Sequence, residues 1–177
     1  MKLTTLLLTA IIQFAIISCG SKETPEVKTD ETSNAPSLEY ILLKEKPTDA
    51  IPISDLRTKH KAGDTVTFKG QIIGAKKVFI DELASMTMGD PKKMTTCNLR
   101  PGDGCQTPWD VCCDEPQVIN DNIVNVQILD ETGAPIKAGI KGLSGIKEMS
   151  DLIITGVVDK SSNEKNMIVN ATGIFVN

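Results

Sequence analysis

Histidine is almost missing from this chain. His60 is the only one in 177 residues, beside one tryptophan and one tyrosine, and aromatic residues make up 3%. A single histidine, read here as a solvated surface residue, leaves little room for Ser–His–Asp catalysis or for histidine-based metal cages. So few aromatics provide no row of platforms on which bases could stack. A formal net charge of −4 repels phosphate on average. Nucleic acid is therefore disfavoured as a partner. The chain also lacks a phosphate-cradling glycine loop and a zincin helix pattern. No paired C-x₂₋₄-C knuckle is present, and no C-x-x-C of the thioredoxin-like kind. No catalytic residue and no cofactor is singled out, so the sequence reads as non-enzymatic.

One apolar run is present, and it is short. Lys2 precedes Leu6 to Ile17, which is brief for a spanning helix but right for the core of an export signal. The run ends in Ile16-Ile17-Ser18-Cys19, which resembles the lipobox of bacterial lipoproteins. The resemblance implies a signal peptide over residues 1–18, cleavage after Ser18, and acylation of Cys19. Each buried methylene would then contribute about 0.8 kcal/mol to holding the protein on membrane lipid. Gly20 rather than aspartate follows the cysteine, which favours the outer over the inner membrane of a bacterial cell envelope. Residues 19–50 read as a lipid-anchored, disordered tether, because "SKETPEVKTDETSNAPS" offers almost nothing to bury. Within it Leu38 to Lys46 is more apolar, a short strand or helix on the domain edge or a sticky piece of linker.

Residues 51–177 are long enough for one core. In Thr65 to Ile72 the apolar positions Val66, Phe68 and Ile72 alternate with polar ones, the period of a half-buried strand, and Gly70 and Gly74 mark a bend or bulge. Val78 to Ser85 reads as a second strand. An irregular insert follows over residues 86–121. Alternation returns at Val124, Val126 and Ile128. Ile140, Leu143, Ile146 and Met149 recur every three residues and suggest a short helix, although Gly142 and Gly145 weaken it. Leu152–Asp159 and Met167–Val176 read as a hairpin, with Met167, Val169, Ala171, Gly173 and Phe175 on one face. The order of elements resembles the oligonucleotide/oligosaccharide-binding (OB) fold. The expectation is a mainly β, five-stranded Greek-key barrel with one short helix and a long disulfide-rich insert between strands 2 and 3. A small sandwich is the alternative.

The insert contains "CNLRPGDGCQTPWDVCC", with cysteines spaced C-x₇-C-x₆-C-C. In an oxidising compartment Cys97, Cys105, Cys112 and Cys113 form an even set once Cys19 is acylated, and two disulfides are expected. The adjacent pair is rejected, which leaves Cys97–Cys112 with Cys105–Cys113, or Cys97–Cys113 with Cys105–Cys112. Each bridge would contribute about 2–3 kcal/mol by closing a short loop. The competing reading is an envelope metal or thiol-redox centre. Met86, Met88 and Met94 could offer thioethers to Cu(I), or else pack the insert. Asp103, Asp110, Asp114 and Glu115 could offer carboxylates to Ca²⁺, or else form a solvated acidic loop. Neither spacing matches a known cage, so no metal is expected. Trp109 is either the mini-core of the insert or an exposed anchor, and Trp109, Asp103 and Asp110 are the ligand-binding candidates. The string from Pro101 to Cys113 resembles a Pro-Gly-Asp-x-Cys-x-Thr-Pro-Trp-Asp-x-Cys-Cys signature of exported bacterial proteins, a kinship that implies no particular activity. The functional expectation is a membrane-anchored envelope module that binds a protein, peptide or glycan.

Overall fold

The computed structural model describes residues 36–102 and 104–177. The signal peptide, Cys19, most of the tether and Asp103 lie outside the described residues. Among the described residues no helix is long and apolar enough to cross a membrane. The domain is mainly β. Its strands are β1 (Ile51–Pro52), β2 (Thr65–Gln71), β3 (Ser85–Gly89), β4 (Ile123–Gln127), β5 (Asp151–Val158) and β6 (Ile168–Val176). Five of them close a barrel in the order β2-β3-β4-β6-β5, returning to β2, and β1 adds a short parallel edge. The β4–β6 pair is parallel, and the other barrel pairs are antiparallel. This is the five-stranded barrel that the alternation anticipated.

β2 is the hub. It pairs with β5 from Thr65↔Val157 to Gln71↔Asp151 but meets β3 only at Gln71↔Gly89. The helix α1 (Ile53–Lys59) packs against β1, β2 and β4. Ile53 and Leu56, three residues apart and so on one helical face, are both fully buried. Asp55 in the first turn and Arg57 and Lys59 in the last complement the helix dipole. Gly70 is what lets α1 approach: a Cβ there would sit 2.3 Å from Ile53 Cδ1 and 3.0 Å from the Gly89 carbonyl oxygen. Asp90, buried just after β3, accepts hydrogen bonds from the Ser54 N–H (3.3 Å) and hydroxyl (2.8 Å) and from the Lys92 N–H (3.0 Å). It thus satisfies donors at the start of α1 from across the fold.

Four expectations change. The residues read as a second strand, Val78 to Ser85, form a tight hairpin instead. Ile80 N–H donates to Ser85 (3.1 Å), Thr87 N–H donates to Val78 (2.7 Å), and Glu82 turns the chain at φ 61°. The barrel strand starts at Ser85, so the insert begins at Asp90 rather than at residue 86. The three-residue apolar recurrence near Ile140 is not an α-helix. Gly142, Ser144 and Gly145 all have positive φ, and only a one-turn 3₁₀ segment, Leu143–Gly145, forms. The short helix of the barrel is α1, ahead of its first strand. On β6 the register slips opposite Thr155/Gly156, leaving Thr172 without a partner. This bulge inverts the alternation, so Ile174 enters the core and Phe175 does not. The folded unit also starts before Ile51: Leu38 and Ile41 are buried in the main core, and Leu43 N–H bonds the Ile174 carbonyl at 2.8 Å.

A row of polar side chains ties the barrel's outer surface. Thr87 and Asn125 bond at 2.9 Å, Gln127 and Asn170 at 2.9 Å, and Asn170 donates to Asp159 at 2.7 Å. The Ser161 hydroxyl and N–H also donate to Asp159, and these bonds with Asn170 hold its carboxyl below the ordinary aspartate value. A pKa lowered on folding adds stability that is present above the unfolded value and lost as pH falls through the folded one. Urea midpoints should therefore drop on acidification through and below the ordinary aspartate range. Asp159→Asn should flatten that part of the profile and lower the neutral-pH midpoint. An unchanged slope in the variant would refute the assignment.

Candidate functional site

The insert is built on Gly74. This residue, at φ 145°, donates its N–H to the Trp109 carbonyl (3.1 Å) and accepts from the Val111 N–H (3.0 Å). A Cβ at Gly74 would stand 2.8 Å from Ile123 Cδ1, so the close docking needs glycine. On the other side of the same segment, Cys97 N–H bonds the Asp110 carbonyl (2.8 Å) and Asn98 N–H bonds that of Pro108 (3.2 Å). Residues 107–111 therefore run between two neighbours like a short central strand. The helix α2 (Pro116–Asp121) closes the insert; its proline start fits, but no fully buried side chain marks it in the pattern.

A second small core holds this together. Ile73, Met94 and Val111 are buried in it, and Trp109 packs against both this cluster and the main one. The indole N–H of Trp109 is committed to the Lys76 carbonyl at 3.1 Å. Trp109 is half-buried and placed as a wedge between the two cores. Asp110 is buried; one carboxylate oxygen accepts from the Cys112 N–H at 3.0 Å and the other faces the Thr107 hydroxyl at 3.5 Å. These two contacts shape the local turn. Asp114 accepts from Thr95 N–H and pairs with Arg100. Met86 and Met88 lie in the barrel core and Met94 in the insert core. His60 stands beside Asp64, 3.5 Å away. Among the described residues no group of three or more histidines, cysteines and acids is arranged to hold a metal ion.

The cysteines converge in part. Cys97 is buried, Cys105 half-buried, and Cys112 and Cys113 exposed. The Cys112 sulfur lies 3.9 Å from that of Cys97 and 3.9 Å from that of Cys113. A disulfide bond is about 2.05 Å long, so neither approach is a bond. Cys105 Sγ lies 3.2 Å from the Thr107 hydroxyl.

Sequence reasoning gave no hint of a cleft of about 550 Å³ on the outside of the barrel. Its floor is Lys69 and Gly70 on β2 with Asp151, Leu152 and Ile153 on β5. One side is the strap from Lys46 to Pro52, and Asp90 to Lys92 and Asn177 also line it. Lys46 donates to the Asn177 side chain at 2.6 Å. Asp90 is spent on Ser54 and Lys92 N–H, and Asp151 accepts from Gln71 at 3.2 Å. Among the described residues the salt bridges use Lys59, Lys77, Lys141, His60 and Arg100, and none uses Lys46, Lys69 or Lys92. The cleft thus joins a mostly apolar surface to ammonium groups with no carboxylate partner. A smaller hollow of about 310 Å³ lies by Arg57 and His60, where burial lowers the Arg57 pKa against the opposing pull of Asp121. No family model matches this chain, and no curated protein matches it.

Proposed function

We propose that this protein is a non-catalytic binding module of the bacterial cell envelope, anchored to membrane lipid through Cys19, with the outer membrane favoured. The cleft beneath the Lys46–Pro52 strap is the observation that carries the reading. Its volume falls in the range of about 300–1,000 Å³ in which small-ligand and recognition sites lie. Its chemistry suits a peptide or glycan segment that rests on Gly70, Leu152 and Ile153 and presents acceptors to Lys69 and Lys92. The insert, wedged by Trp109 and locked by hydrogen bonds, serves as a rigid flank rather than as the ligand platform.

The experiment is a set of amide shift maps on isotope-labelled mature protein, with solubilised envelope peptide and glycan fractions as probes. Shifts should centre on residues 46–52, 69–70 and 151–153. Lys69→Glu with Lys92→Glu should weaken binding about tenfold or more, since charge reversal adds repulsion where attraction stood. Shifts confined to residues 94–121, or affinity unchanged in the double variant, would remove the cleft from the reading.

A further inference from the structure

We infer that Cys97 and Cys112 are the pair that closes into a disulfide, with Cys112 the attacking sulfur and Cys97 the resolving one. The two are framed by one residue. Cys97 N–H is fixed to the Asp110 carbonyl at 2.8 Å, and Cys112 N–H to the Asp110 carboxylate at 3.0 Å. Their sulfurs already stand 3.9 Å apart, so closure to about 2.05 Å takes a small side-chain movement and leaves these backbone contacts in place. The Cys113 sulfur is equally close to that of Cys112, but chain neighbours do not suit a bridge. Consecutive Cα atoms are about 3.8 Å apart, whereas disulfides join Cα atoms about 4.4–6.8 Å apart. The choice left open by the spacing therefore falls on Cys97–Cys112, and a second bridge would join Cys105 to Cys113.

Exposure sets the order of events. Cys112 is exposed and within reach of an oxidant, while Cys97 is 4% exposed and out of its reach. The oxidant is a disulfide, either small or carried by a protein. The Cys112 thiolate attacks one of its sulfurs, forming a mixed disulfide and expelling the other sulfur as a thiolate. The Cys97 thiolate then attacks the Cys112 sulfur, forming the internal bond and expelling the second thiolate. Two protein thiols are oxidised, one disulfide is reduced to two thiols, and the protons of Cys97 and Cys112 pass to the departing thiolates.

The test uses the full mature protein, reduced and then treated with oxidised glutathione, so that it depends neither on cellular location nor on ligand binding. Cleavage on the N-terminal side of aspartates separates residues 90–102, with Cys97, from 103–109, with Cys105, and from 110–113, with Cys112 and Cys113. The expected product joins residues 90–102 to 110–113, with fragment ions that place the bond on Cys112. Cys113→Ala should keep this product and Cys112→Ala should lose it. Cys97→Ala should accumulate glutathione on Cys112. Three results would each overturn the inference: Cys97 joined to Cys105 or Cys113, Cys97 still open to alkylation once the oxidised protein is unfolded, or glutathione accumulating on Cys97 when Cys112 is absent. The wild-type map alone decides the pairing, whatever the variants do to folding.

Discussion

Phe68→Ala should lower the unfolding free energy by about 3–5 kcal/mol, the usual cost of emptying a fully buried aromatic site. Phe68 has no exposed surface and lies at the middle of β2, with Ile154 opposite it on β5 and Ile51 beside it on β1. A cavity there faces several strands at once, and a closed barrel cannot collapse into it by moving one edge. Domains of this size are stable by about 5–15 kcal/mol, so the loss is about a fifth or more of the total. Urea unfolding followed by circular dichroism should show the midpoint fall with the slope unchanged. The adjacent Lys69 faces outward, and Lys69→Ala should stay within about 0.5 kcal/mol of wild type. Equal costs for the two substitutions would mean that the inward and outward faces of β2 are wrongly assigned.

The alternation of β2 and β4 could be read because a barrel strand has one dry face and one wet one. Val66, Phe68, Val124, Val126 and Ile128 are all buried as their period requires. The closing hairpin was legible for the same reason, until the bulge at Thr172 broke the period and exchanged Ile174 for Phe175. Where tertiary contacts decide, the pattern misleads. Ile140 and Ile146 are buried in a loop that three left-handed residues keep from becoming a helix. The hairpin at Glu82 has no glycine to announce it. α1 escapes a pattern search because it is seven residues long and gains its stability from Gly70, Asp90 and β4 rather than from propensity. The site was legible only as a cluster of cysteines. That Cys112 comes within 3.9 Å of Cys97 depends on how Asp110 turns the chain, and the cleft arises from segments more than a hundred residues apart in sequence.

Trp109→Ala should cost about 2–3 kcal/mol, less than the 3–5 kcal/mol typical of a large buried aromatic because the ring is only half-buried. The loss should be local. Trp109 touches both cores, and its removal frees Ile73, Met94 and Val111 from the barrel side while leaving β2, β5 and β6 paired. Amide exchange is the sensitive measurement. The Val111 and Cys97 amides, bonded to Gly74 and Asp110, should lose about 30- to 150-fold of their protection, the same energy expressed as an opening equilibrium. Amides within the β2–β5 pair should change little. Trp109→Phe keeps most of the packing and forfeits the bond to the Lys76 carbonyl, so about 1 kcal/mol should be lost. An exposed ligand anchor would behave in the opposite way, with protection intact and binding gone. The proposed cleft binding uses Lys69, Lys92 and the strap, so under that proposal Trp109→Ala should change affinity far less than it changes protection of the insert. Unaltered exchange at Val111 would show that the ring holds nothing in place.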